Sequence, residues 1–118
     1  MSIPDSRTQL RIANKARRDR FASKHPKYGM VKYRERRFGL TATQYNIMVE
    51  QQGNRCAICN EEEPGYRNGV RKALAVDHNR VTGANRRLLC SRCNTAIGLL
   101  RERIDLLEKT IEYLRYHE

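Results

Sequence analysis

Apolar residues are sparse in the first part of the chain and periodic in the rest. Over residues 6–23, Leu10, Ala13, Ala16 and Phe21 recur at a loose helical spacing, with Arg or Lys around most of the remaining circumference. This predicts a helix that buries little against its own domain. Such a helix is stabilised by docking on phosphates or on a second subunit, or else it stays a solvated tail. His25 precedes Pro26, and a residue before proline is pushed away from helical backbone, so a boundary is expected there.

Residues 27–38 interleave Tyr28, Tyr33 and Phe38 with Lys and Arg. Those aromatics either pack as core or stack on bases while the cations meet phosphates. Gly39 and Leu40 close this piece. Thr41 and Gln44 then stand in a capping-box relation and open a helix over 42–52, with Tyr45, Met48 and Val49 on one face and Gly53 as its terminator.

Further on the period shortens. KALAVD at 72–77 reads as a strand and RLLC at 87–90 as a second, joined by an irregular loop with a turn at Thr82 and Gly83. The two should pair as an antiparallel hairpin, with Asn94 opening a helix that runs to about Leu100. Residues 60–69 are rich in acidic residues and turn formers, which predicts a surface loop with Glu61, Glu62 and Glu63 solvated. Past Gly98, Ile104, Leu107, Ile111 and Leu114 return at helical spacing, with Asp105 as a cap if the chain breaks near Arg103. The stripe reads most simply as core; the other reading is a dimer surface.

Composition sharpens this outline. The chain has 118 residues with a net charge of +11, 39% hydrophobic residues, no Trp and two Phe. A thin core in so short a chain calls for extra cross-linking. Its isoelectric point near 10.0 and mean hydropathy of −0.82 suit a partner of dense negative charge. Residues 1–39 carry 12 Lys and Arg against 3 Asp and Glu, whereas residues 40–118 carry 12 against 10. The excess charge therefore belongs to the N-terminal third. No apolar run approaches the roughly 20 residues that span a bilayer, and the start lacks the apolar core of a signal peptide. A cytosolic protein without a membrane partner is expected.

In a reducing compartment, four cysteines arranged as two CxxC pairs are metal ligands rather than disulfides. Cys56, Cys59, Cys90 and Cys93 form that pattern, with 30 residues between the pairs. Thiolates of this spacing suit a tetrahedral zinc ion, closed and hence structural. The chemistry must lie elsewhere, and Asp77, His78 and Asn94 are the candidates. Asp77 ends the first strand and Asn94 begins the helix after the second CxxC, so the metal staple gathers two oxygen ligands that are distant in sequence. Oxygen donors suit Mg²⁺ or Mn²⁺. Neighbouring strand residues face opposite ways, so His78 can share a site with Asp77 only if the backbone leaves the strand between them. A neutral imidazole beside a metal-bound phosphodiester can draw a proton from water, which is the division of labour of hydrolysis.

The segments CAIC at 56–59, AVDH at 75–78, Thr82 with Gly83, RLLC at 87–90 and CNTAIG at 93–98 resemble the recombination endonuclease VII family, within the His-Me finger (ββα-metal, HNH-like) nucleases. FGLT at 38–41, GNRC at 53–56 and IEYL at 111–114 are similar to its flanks. The resemblance implies a small zinc-stapled ββα-metal unit, and with the periodicity and charge of the rest the expected fold is α+β, mostly helical, with that unit and its flanking helices at 40–118 and a basic helical arm at 1–39. It implies that Asp77 and Asn94 hold one Mg²⁺ or Mn²⁺, that His78 is the general base, that the four cysteines hold zinc, and that the activity is phage-associated DNA cleavage. Two positions depart from the pattern: Arg80 stands where many members carry a second His, and Ile97 where the best-studied member has Glu. Strand cleavage carries over further than junction resolution for that reason.

Arg80 is either a clamp on the scissile phosphate or a solvated cation, and Arg86, Arg87 and Arg92 surround the same site as phosphate contacts. The leading expectation is a metal-dependent DNA endonuclease, a nickase or a branched-DNA (Holliday junction) resolvase, working as one copy or as a homodimer. The rivals are a zinc-stabilised DNA-binding module without catalysis and a site-specific HNH homing or restriction-type enzyme, for which no recognition module is visible.

Overall fold

Asp5 starts the first helix. Its carboxylate accepts the Thr8 N–H at 2.7 Å, satisfying one of the early donors that a helix leaves unpaired, and this bond holds the Asp5 carboxyl below its ordinary range. In this computed structural model, residues 3–24 and 28–118 are described; the boundary expected at His25 and Pro26 lies outside them, as does the side chain of Tyr28. Two compact units divide the chain, Met1–Ala42 and Thr43–Glu118. Among the described residues no helix is long and apolar enough to cross a membrane.

The first unit is helical. α1 runs Ser6–Lys24, and its apolar residues stay outside, with Leu10 61% and Ile12 58% exposed. That is the little-buried helix its basic circumference predicts. α2 runs Tyr28–Phe38, where Tyr33 and Phe38 meet edge to face at 5.8 Å with Arg37 over the Phe38 ring. Gly39, at φ +66°, ends α2, its N–H reaching the Glu35 carbonyl at 3.1 Å.

The second unit begins at Thr43, in the first turn of α3, Ala42–Gln51. Its end is a two-bond Schellman motif: the Gly53 N–H bonds Glu50 O and the Asn54 N–H bonds Val49 O, with both turn residues at positive φ. Tyr45 is buried and donates its hydroxyl to Leu74 O at 2.7 Å. The Gln52 side chain mimics a strand edge, accepting the Leu88 N–H and donating to Leu88 O. These bonds dock α3 and the following CxxC turn on the sheet.

Residues 60–69, read from the sequence as a solvated loop, are organised differently. β1 (Tyr66–Arg67) and β2 (Val70–Arg71) form a short antiparallel hairpin. Asn68 and Gly69 supply its turn at φ 52° and 77°, as a primed two-residue turn requires. Glu63, expected to be solvated, is only 3% exposed. Its carboxylate accepts Ser91 N at 2.7 Å, Ser91 Oγ at 2.5 Å and Gly65 N at 2.9 Å. Burial is tolerated because each oxygen is bonded.

β3 (Ala75–His78) pairs antiparallel with β4 (Asn85–Leu89), shifted from the expected 72–77 and 87–90 because Lys72 bonds back to Gly65 and continues the small hairpin. Leu74, Val76, Leu88 and Leu89 bury their side chains with Tyr45, Cys56 and Cys90 to make the core. α4 (Ser91–Leu99) follows at once and packs on both strands. α5 (Ile104–Tyr116) completes the unit. Arg103, not Asp105, holds the N-cap position; Asp105 lies in the first turn, paired with Arg103. The expectation that the α5 stripe is core is not met, since Ile104 is 71% and Leu114 61% exposed, with Leu107 half-buried.

Candidate functional site

Each CxxC segment is a tight turn that points backbone N–H groups at sulfur. Ile58 N donates to Cys56 Sγ at 3.4 Å and Cys93 N to Cys90 Sγ at 3.4 Å. Asn60, at φ 59°, lets the first turn close, with its N–H on Cys56 O. The Ala57 N–H bonds Leu88 O at 3.0 Å and ties that turn to β4. Cys90 is also the N-cap of α4, so one sulfur serves both the cluster and the helix start. As a result the four Sγ atoms lie within 4.8 Å of one another.

The cluster's electrostatics favour a cation. Burial pushes the Cys56 thiol up, but N–H donors from Cys90, Cys59 and Ile58 more than offset it and bring it to about 6. Partial burial and three neighbouring sulfurs push the Cys93 thiol up to about 12. Four thiols cannot all ionise side by side unless a positive ion joins them. Soft sulfur donors and this spacing fit one tetrahedral metal ion.

Asp77 and His78 stand at the end of β3, where the ladder is irregular: Val76 opposes Leu88 but His78 opposes Asn85. Two residues of β4, Arg86 and Arg87, thus span the single residue Asp77, an arrangement that bends the strand locally and re-aims side chains. The backbone therefore departs from regular strand between Val76 and His78. The loop beyond is closed by Asn79, whose side chain accepts the N–H groups of Val81 and Thr82, and by Gly83 at φ 77°. His78 is half-buried. Asn94 is half-buried in the first turn of α4, one residue beyond Cys93, with its N–H on Cys90 O at 3.0 Å.

Asp77 is buried and its carboxylate is engaged. Arg86 donates Nε to Oδ2 at 2.6 Å and Nη2 to Oδ1 at 3.1 Å, while the same Nη2 meets His78 O at 3.2 Å and Glu102 Oε1 at 2.5 Å. Asp77, and then Glu102, hold the Arg86 guanidinium charged more firmly than usual, against its partial burial. Arg86, expected among the outward phosphate contacts, is therefore turned onto a carboxylate. Arg80, Arg87 and Arg92 are exposed. Ile97 is half-buried in α4.

Two contributors were not anticipated from the sequence. Glu63 binds the N-terminal edge of α4 from 28 residues away. Glu102 reaches Arg86 from the corner between α4 and α5, where Arg101 and Glu102 sit at φ 56° and 54°. Only the turn pair Asn68 and Gly69 advertised that residues 60–71 fold back on themselves; nothing local marks either carboxylate.

The profile of a protein family described as recombination endonuclease VII matches residues 31–116. The Gene 59 protein of Mycobacterium phage D29 is 46% identical over 79 residues, 66% of this chain and 45% of that protein. The Gene 59 protein of Mycobacterium phage L5 is 41% identical over 78 residues, 65% of this chain and 44% of that protein. The match thus spans less than half the length of these relatives. The chain is also similar to the ββα-Me type II restriction endonuclease Hpy99I in its crystal structure, at a TM-score of 0.47 and 34% identity over 74% of this chain and 48% of that one.

Proposed function

The chain belongs to the recombination endonuclease VII family, and on that premise we propose that it is a metal-dependent endonuclease that hydrolyses DNA phosphodiester bonds with a water activated by His78. One arrangement carries this reading. The antiparallel pair β3–β4 runs directly into α4, which packs on both strands, and the four thiols cross-link the entry to the pair with the start of that helix. Residues 40–118 make the nuclease domain, and the basic residues 1–39 are an arm for the DNA backbone.

Zinc in the four-thiolate cluster is structural, since a shell of four sulfurs leaves no open position. Asp77 and Asn94 offer a carboxylate and an amide oxygen, hard donors that fit Mg²⁺ or Mn²⁺ once Arg86 releases Asp77. A divalent cation there offsets the charge that grows on the phosphate during cleavage. His78 takes a proton from water as the water oxygen bonds to phosphorus; the bond from phosphorus to the departing nucleotide oxygen breaks, and that oxygen takes a proton from solvent. Arg80, Arg87 and Arg92 contact the flanking phosphates. The enzyme nicks duplex DNA or resolves branched, including four-way, DNA, and cutting both strands calls for two copies of the chain. A host cell carrying phage is the setting the two phage relatives suggest.

The ion pair between Arg86 and Asp77 favours a second reading, a DNA-binding module with no catalysis. Cleavage of linear, nicked, flapped and four-way DNA by zinc-loaded protein, at fixed salt with and without Mg²⁺ or Mn²⁺, separates the two. The enzyme reading expects His78→Ala to lower cleavage by about a hundredfold or more at unchanged DNA affinity. Retained DNA binding by a wild type that cuts none of these substrates would support the binding module.

A further inference from the structure

Building on the reading of Asp77 as a ligand for a divalent cation, we infer that Arg86 is the resident counter-ion of that ligand site and hands Asp77 over when a cation is held there. Both carboxylate oxygens of Asp77 are taken by one guanidinium, at 2.6 and 3.1 Å. The Asp77 side chain is only 11% exposed, so its charge could not stand unpaired without a large desolvation penalty. The irregularity in β4 puts Arg86 beside it, and arginine stays charged at any working pH. A second positive centre on the same oxygens, partly shielded from water, competes with the first.

The second observation is that Arg86 has somewhere to go. Its Nη2 already bonds Glu102 Oε1 at 2.5 Å and His78 O at 3.2 Å, so the guanidinium can leave Asp77 and remain paired. Glu102 is fixed for that purpose by its backbone. It follows Arg101 in left-handed conformation, rare for residues other than glycine, and its N–H is bonded to Ile97 O at 2.8 Å. The arrangement keeps Asp77 oriented and its charge paired before a cation arrives, at the cost of weaker cation binding. Arg86 is thus a positioning residue whose two anchors, Asp77 and Glu102, pull in opposite directions on metal affinity.

Mn²⁺ titration of the zinc-loaded chain without DNA, read by the electron paramagnetic resonance signal of free Mn²⁺, tests this with no recourse to cleavage. Arg86→Met should tighten Mn²⁺ binding roughly tenfold, the equivalent of about 1.4 kcal/mol. Glu102→Gln, which leaves Arg86 with Asp77 alone, should weaken it by about two- to threefold. Arg87→Met removes the same charge from the adjacent, exposed position and should change affinity less than about twofold. If thermal unfolding shows Arg86→Met to be unfolded, Arg86→Lys, which keeps the charge but not the paired bonds, should give a smaller gain. No tightening in the folded Arg86 variant, or an equal gain in Arg87→Met, overturns the inference and leaves Asp77 a ligand. Unchanged Mn²⁺ binding in Asp77→Asn overturns the underlying reading of the site instead.

Discussion

Glu63→Ala should be among the most damaging single changes to the second unit outside the cysteines. The Glu63 carboxylate accepts three hydrogen bonds, two from Ser91 and one from Gly65, and the residue is 3% exposed, so solvent does little to dilute them. A hydrogen bond to a charged group contributes about 1.5–3 kcal/mol, and an orphaned buried N–H costs about 1–3 kcal/mol. Truncation deprives the Ser91 and Gly65 N–H groups of their acceptor but also removes the penalty of burying a charge, which leaves a net loss of about 3 kcal/mol. For a unit of this size that lowers Tm by roughly 10–20 °C. Glu63→Gln keeps the shape, but one amide group must face a donor, and it should cost about half as much.

The pH dependence gives an independent check. Burial pushes the Glu63 carboxyl up, but the Ser91 side chain, the Gly65 and Ser91 N–H groups and the charge of Lys72 outweigh it and leave it below its ordinary range. A carboxyl lowered on folding contributes stability that is complete above its unfolded pKa, about 4.3, and is lost as pH falls through the folded value. The gap between wild type and Glu63→Gln should therefore be constant from pH 7 to about 5 and close below about 4. Thiol protonation weakens metal binding in both proteins and drops out of the difference. Urea unfolding at fixed zinc measures it. A loss under about 0.5 kcal/mol in Glu63→Ala, the range of ordinary surface changes, would refute the clamp.

Two further outcomes follow from the same geometry. Stripping metal with a chelator should abolish the cooperative unfolding transition of the second unit, and zinc should restore it, because the thiols hold together elements that have little other core; an unchanged transition after complete metal removal would refute a structural ion. Tyr45→Phe removes the donor to Leu74 O and should cost about 1–1.5 kcal/mol in chemical denaturation with no change in metal content; no measurable loss would mean that water replaces the hydroxyl.

What could be read from the sequence was whatever repeats at fixed spacing or demands one residue type. The cysteine pairs announce a metal cluster because only thiolates so spaced can close on one ion, and the four sulfurs do converge. The β3–β4 hairpin was legible from its apolar alternation, but its limits moved because Lys72 belongs to a neighbouring turn. Gly53 marked the end of α3 because a left-handed residue was needed there. Partnerships between charges distant in the chain were not legible. Glu63 looks solvated among Glu61 and Glu62 until Ser91 is brought to it, and Arg86 looks like one of several loop cations until the irregular strand turns it onto Asp77. The α5 stripe misled for the opposite reason: its period predicts a face, and a period says nothing about what covers it.

Cys90 begins α4 with the same sulfur that joins the cluster. A stretch of nine residues is too short to persist as a helix unaided, so an ion held by the four thiols would steady the start of α4, where Asn94 sits. Such an ion could close the cluster only after Cys93, the last of the four thiols to leave the ribosome, has emerged. The yield of folded second unit would then depend on metal supply as well as on translation.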